Sequence, residues 1–190
     1  MILVSSCLAG LEVRYDGKHC LRDIIKRLVD ENRAITACPE LLGGLPIPRI
    51  PAEIIQGDGF DVLDGRAKVV DRLGKDVTDM YIKGAYETLK LVQKMKITTV
   101  VLKENSPSCG SSMIYNGEFS GKKVPGNGVT SALLKRNGIK VISDVELTEL
   151  EELEEMLSAA TFNVGCMASG SDGATVYRPP TMPLAFGKDK

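Results

Sequence analysis

Hydrophobic and polar residues alternate in blocks along the chain, and the blocks predict strands that alternate with helices. Short apolar runs predict four buried strands, at residues 2–6, 34–37, 97–102 and 139–142. Apolar residues at helical spacing predict helices between them, over residues 19–31, 76–95, 129–136 and 148–159. Asp64-Gly65 and Asn116-Gly117 are two-residue turn signals, and each predicts the tip of a β-hairpin.

This order of elements is typical of an α/β domain. It predicts a mostly parallel sheet with flanking helices, a Rossmann-like three-layer arrangement, into which β-hairpins are inserted. Residues 43–51 contain three prolines and two glycines and predict a rigid, extended loop. From residue 161 the pattern dissolves into small and polar residues. We therefore expect one α/β domain over residues 1–160 and an irregular C-terminal tail over residues 161–190.

Composition and charge are those of a globular protein and narrow the classes of partner. The chain has 190 residues, 43% hydrophobic and 26% charged, with a formal net charge of -1. Lys and Arg are scattered, which argues against a nucleic-acid partner. No apolar run approaches the ~20 residues that span a bilayer, and the N-terminus lacks the basic start of a signal peptide. We expect a cytoplasmic protein without a membrane partner; the sequence predicts no oligomeric state.

Three cysteines follow predicted strands directly. Cys7 comes after the first strand, Cys38 after the second, and Cys109 lies in the loop after the third. Ligands of open α/β sheets bind outside the carboxyl ends of the strands. The sequence therefore predicts that these thiols meet at one edge of the sheet, and thiols in a non-exported protein are often metal ligands.

Several kinds of site are compatible with three such thiols. They are small buried residues in the simplest interpretation, and a dithiol redox site would lack its usual Cys-x-x-Cys pair. A zinc site normally takes four ligands, and His19 is the one histidine available as the fourth. An iron–sulfur cluster with one open iron needs only the three. Cys20 and Cys166 are interpreted as non-ligands.

Polar residues beside the cysteines are candidates for proton transfer. Glu40 follows Cys38 by two residues, in a segment where leucines 41, 42 and 45 are expected to wall the carboxyl. Ser106 and Ser108 precede Cys109, and either hydroxyl is placed to face the same site. The cations of this region, Arg14, Arg49 and Lys103, are interpreted as structural.

At these positions the sequence resembles the thiouracil desulfidase family, over residues 1–143. The resemblance rests on short motifs in a fixed order: VSSCL (4–8), VRYDG (13–17), CPE (38–40), GGLPIPR (43–49), PAEI (51–54), LKENSPSCG (102–110) and GVT (128–130). It implies a [4Fe-4S] cluster held by Cys7, Cys38 and Cys109, with one open iron. It also implies Glu40 as catalytic carboxylate and Ser106, or else Ser108, as catalytic serine.

The resemblance further implies a reaction. Such an enzyme removes sulfur from a thiolated pyrimidine without net redox change and releases the oxo product and sulfide. Relatives that act on thiolated tRNA carry a further domain, so we expect a small-molecule thiolated base here. The alternative is a non-catalytic metal or iron–sulfur protein, a carrier or sensor, and a zinc hydrolase on the same thiols is a third interpretation. Glu40 and Ser106 favour an enzyme, because a carrier needs only ligands.

Overall fold

The computed structural model describes residues 1–147, which form a three-layer α/β structure. Its central sheet is wholly parallel and has the strand order β2-β1-β5-β8. These strands are Ile2–Ser5 (β1), Ala34–Ala37 (β2), Thr99–Leu102 (β5) and Lys140–Ser143 (β8). The α/β fold class and the four predicted strands are thus confirmed, with bounds that differ by one or two residues at some ends.

Helices cover both faces of the sheet because the strands are apolar on both sides. The helices are Asp23–Asp30 (α1), Pro39–Leu42 (α2), Gly59–Leu63 (α3), Thr78–Lys94 (α4) and Val129–Arg136 (α5). Val4 and Val101 pack with Ile25 of α1 on one face. Leu3 and Val100, whose side chains point to the other face, join the larger core with α4 and α5.

Two small antiparallel pairs are added to this body. They are Ala52–Ile55 (β3) with Lys68–Asp71 (β4), and Met113–Tyr115 (β6) with Lys123–Pro125 (β7). The second pair confirms the hairpin predicted at Asn116-Gly117.

The hairpin predicted around Asp64-Gly65 is wrong. Residues 59–63 form the short helix α3, and β4 pairs with β3 instead. A reciprocal capping interaction explains the difference: Asp58 Oδ1 accepts the backbone N–H of Phe60 at 2.8 Å, and Asp61 Oδ2 accepts that of Asp58 at 3.1 Å. Such a capping box starts a helix, and Gly65, with φ of 74°, then turns the chain into β4.

The C-terminal predictions lie outside the described residues. They are the helix over residues 148–159, the domain boundary at residue 160 and the tail over residues 161–190. Among residues 1–147, no helix is long and apolar enough to cross a membrane.

Candidate active site

The three cysteines that follow strands line one cavity of about 580 Å³ at the carboxyl edge of the sheet. Cys7 lies in the 3₁₀ turn Ser6–Ala9 that continues β1. Cys38 is the residue before α2, and its extended backbone turns the chain out of β2. Cys109 is in the loop after β5. Because β1 lies between β2 and β5 in a parallel sheet, the three loops start side by side.

Burial and crowding make these thiols hard to ionise in the absence of a metal. Cys7 is 8% exposed, and burial, then the neighbouring Cys20 and Cys38 thiols, raises its pKa to about 12. Burial, followed by the charge of Glu40, raises the pKa of Cys109 well above its usual range. Burial also raises the pKa of Cys38. A cation that replaced the protons would remove this penalty, since metals bind the thiolate.

The arrangement of the thiols fits a cluster better than a single ion. Within residues 1–147, no three His, Cys, Asp or Glu side chains come close enough together to hold one metal ion. A zinc ion draws its ligands to about 2.0–2.3 Å from one point. Cysteines that hold a [4Fe-4S] cluster bind different irons, so they line a cavity without converging on one point. His19 is exposed and does not line the cavity.

Cys20 lies nearer to this site than its sequence context indicated. It lines the same cavity, its backbone N–H donates to Cys7 O at 2.9 Å, and its sulfur accepts a close hydrogen bond from the Arg14 guanidinium. Sequence reasoning placed Cys20 beside a helix and missed this contact, although the VRYDG segment before it was an available signal. Cys166 lies outside the described residues.

Glu40 is held in the cavity by an ion pair. Arg49 Nε donates to Glu40 Oε2 at 2.6 Å, and both side chains are largely buried, 6% exposed for Arg49 and 12% for Glu40. The same guanidinium donates to the carbonyl of Val13 at 3.0 Å. Arg49 is therefore structural, as expected, and it also fixes the candidate acid–base group, which sequence reasoning did not foresee. A planar guanidinium suits this fixed contact.

The leucine wall predicted around Glu40 is not found. Leu42 is 39% exposed, Leu45 is buried in the core, and neither lines the cavity of the cysteines. Leu41 does not line it either. The reason is that residues 39–42 form a helical turn, which points the leucines away from Glu40.

Of the two candidate serines, Ser106 faces the cavity and Ser108 does not. Ser106 Oγ donates to Glu40 Oε1 at 3.2 Å and accepts the backbone N–H groups of Ser108 and Cys109 at 3.1 and 3.2 Å. Ser108 is 1% exposed, and its hydroxyl pairs with that of Thr130 at 2.9 Å in the core. The structure therefore brings Glu40 and Ser106 together beside the three thiols.

The loop that carries Ser106 and Cys109 is fixed at its root by Glu104. This buried carboxylate accepts the backbone N–H groups of Ser111, Ser112 and Met113, with N–O distances from 2.7 to 3.3 Å. It also accepts the hydroxyls of Ser111 and Ser112. The donors close the loop into a compact turn, so the groups inside it have a fixed position relative to the sheet.

Comparison with known proteins places this cavity in a family. The Bacillus subtilis (strain 168) protein YbbK, described as uncharacterized, is 58% identical over 150 residues, which are 79% of this chain and 99% of YbbK. A solved structure of the [4Fe-4S]-dependent thiouracil desulfidase TudS is 44% identical, with a TM-score of 0.70, and the match covers 82% of this chain and 97% of TudS. The family model for 2-thiouracil desulfurase matches residues 2–146. The chain therefore belongs to the 2-thiouracil desulfurase family of enzymes.

Proposed function

We propose that this protein removes sulfur from a small thiolated pyrimidine, giving the oxo base and sulfide, with a [4Fe-4S] cluster held by Cys7, Cys38 and Cys109. The observation that carries the proposal is a single cavity in which three thiols border a hydrogen-bonded Glu40–Ser106 pair. TudS, similar over most of its length, is a [4Fe-4S]-dependent thiouracil desulfidase. When bound, a cluster with three cysteine ligands supplies an iron that is both Lewis acidic and thiophilic.

The chain's own residues provide a route for protons. Arg49 holds Glu40 Oε2, which leaves Oε1 as the oxygen that contacts the Ser106 hydroxyl. Desulfuration with water requires that water lose protons and that the ring nitrogen or the leaving sulfur gain one. Glu40 is positioned to accept a proton through Ser106 or a water molecule and to return it to the base.

The cavity suits a ligand of this size and polarity. About 580 Å³ lies within the usual range for small-molecule sites. Its walls combine the thiol end with the proline-rich segment around Pro51 and with aromatic residues of the β6–β7 region, Tyr115 and Phe119. A flat heteroaromatic ring packs well on such apolar and aromatic walls.

The proposal is tested by anaerobic reconstitution followed by turnover. We expect about four irons and four acid-labile sulfides per chain, a brown protein, and release of sulfide from a thiouracil together with uracil. A colourless protein with one bound zinc would instead support the hydrolase interpretation. A loaded cluster without turnover of 2-thiouracil, 4-thiouracil or their nucleosides would support a carrier or sensor and refute the proposed function.

A further inference from the structure

A buried tyrosine hydroxyl faces the candidate active site and is not used by the proposed proton route. Tyr81 belongs to α4, is 3% exposed and lines the cavity of the cysteines. Its hydroxyl is close enough to Glu40, Arg49, Cys38 and Cys109 to be influenced by their charges. Buried hydroxyls almost always have a hydrogen-bond partner.

Within residues 1–147, the Tyr81 hydroxyl makes no hydrogen bond to another protein group, although the nearby Ser106, Glu40 and Arg49 are all paired. The only buried side-chain oxygen or nitrogen fully closed off without a partner in these residues is that of Ser131. The Tyr81 oxygen is thus reached from the cavity and awaits a partner there. Burial raises the pKa of Tyr81 well above its usual range, so the hydroxyl keeps its proton and acts as a donor.

Close backbone packing fixes Tyr81 relative to the cysteine turn. A Cβ on Gly84, one helical turn after Tyr81, would lie 2.0 Å from Pro39 O. A Cβ on Gly43 would lie 2.0 Å from Met80 O. The two glycines let α4 contact the segment of Cys38 and Glu40 directly, so the Tyr81 hydroxyl has a set distance from both.

We propose that Tyr81 is a further substrate-contacting residue of this site, whose hydroxyl donates a hydrogen bond to the carbonyl oxygen of the bound thiolated base. The inference rests on the proposed function, because a thiolated pyrimidine is the ligand assumed. With its sulfur at the thiol end of the cavity, such a base presents one other exocyclic acceptor, its oxygen. A buried donor that meets this oxygen would distinguish the oxo-thio base from a thio base that lacks the oxygen.

The test pairs one protein substitution with one ligand substitution. Binding of 2-thiouracil and of 2-thiopyrimidine, which lacks the ring oxygen, is measured anaerobically by calorimetry on cluster-loaded wild type and on Tyr81→Phe. We expect Tyr81→Phe to weaken 2-thiouracil binding roughly two- to twelvefold, the range for one net hydrogen bond, and to leave 2-thiopyrimidine binding unchanged. Tyr86→Phe, on the same helix but 48% exposed, is the matched control.

The double comparison separates the possible outcomes. Equal weakening of both ligands would mean a packing role, and no weakening would mean no contact; either result overturns the inference while the proposed function stands. If wild type neither binds nor desulfurates any thiopyrimidine, both proposals fall. Should Tyr81→Phe lose iron, wild type labelled with 3-fluorotyrosine decides: the resonance absent from the variant must shift when 2-thiouracil binds, and an unchanged resonance overturns the inference.

Discussion

The Glu104→Gln substitution isolates the carboxylate that closes the Ser106–Cys109 loop. Glu104 is 6% exposed, and its oxygens accept three backbone N–H groups and two hydroxyls from residues 111–113. Burial alone would raise its pKa, but the N–H groups of Met113, Ser112 and Ser111 outweigh burial and hold the pKa below its usual 4.5. At neutral pH the carboxylate is therefore charged, and its hydrogen bonds are charge-assisted.

The size of the effect follows from what glutamine keeps. With its oxygen at the position of Oε1, glutamine still accepts the N–H groups of Ser112 and Met113. Its amide group then stands where Oε2 was, 3.2 Å from the Ser111 nitrogen, so two donors face each other. Hydrogen bonds to charged groups contribute about 1.5–3 kcal/mol each. We expect a loss of about 2 kcal/mol in the free energy of unfolding, or roughly 4–8 °C in Tm.

The assay is urea unfolding of the cluster-free protein at pH 7, with Glu87→Gln as control. Glu87 pairs with Lys90 on the exposed face of α4, so its substitution should cost less than about 0.5 kcal/mol. The folded-state pKa of Glu104 is depressed, so its contribution is complete above pH ~4.5. The contribution should disappear as the pH falls through the folded-state pKa. A Glu104→Gln variant as stable as Glu87→Gln at pH 7 would refute this reasoning.

Three further predictions concern the chemistry of the cavity. Cys7→Ala, Cys38→Ala and Cys109→Ala should each abolish cluster loading in iron and sulfide analysis, while Cys20→Ala should retain it; complete loss with Cys20→Ala would indicate a fourth ligand and no open iron. Glu40→Gln should keep the iron content and lower kcat about 10²–10⁴-fold, as for a lost acid–base group; a fall in iron content instead would make Glu40 a structural support. In the cluster-free protein, Cys7 and Cys109 should react slowly with iodoacetamide at pH 7 and faster as the pH rises, because their raised pKa values keep them as thiols; mass-spectrometric labelling as fast as in urea would contradict this.

The sheet and its cysteines were predictable because the information is local. Each strand of the parallel sheet is a short apolar run, and its end is marked by Cys7, Cys38 or a Pro- and Ser-rich loop. A parallel α/β sheet brings all such ends to one edge, whatever their separation in sequence. The choice between Ser106 and Ser108 needed the structure, since both flank the same proline and only the packing of Thr130 against Ser108 separates them.

Long-range pairs account for what the sequence did not reveal. Nothing local links Arg49 to Glu40, because the contact depends on how the proline-rich segment folds back over the cavity. The contact of Cys20 with Cys7 likewise depends on the path of the loop between them. The Asp64-Gly65 signal was misleading for a different reason: the capping pair of Asp58 and Asp61 acts on the same residues and favours a helix.

The fourth parallel strand explains why a sheet, and not a set of loops, holds this site. Asp144 follows β8 directly, is 1% exposed, and accepts the backbone N–H of Glu104 at 2.7 Å and the Lys103 ammonium at 2.9 Å. Its strand pairs with β5, so Asp144 ties the root of the Ser106–Cys109 loop to the neighbouring strand. The outer strand thus contributes an anchor where the other three lead to thiols. A cluster site requires ligands held in place before the cluster arrives, and a buried carboxylate fixed by the register of two strands supplies that constraint without adding a ligand.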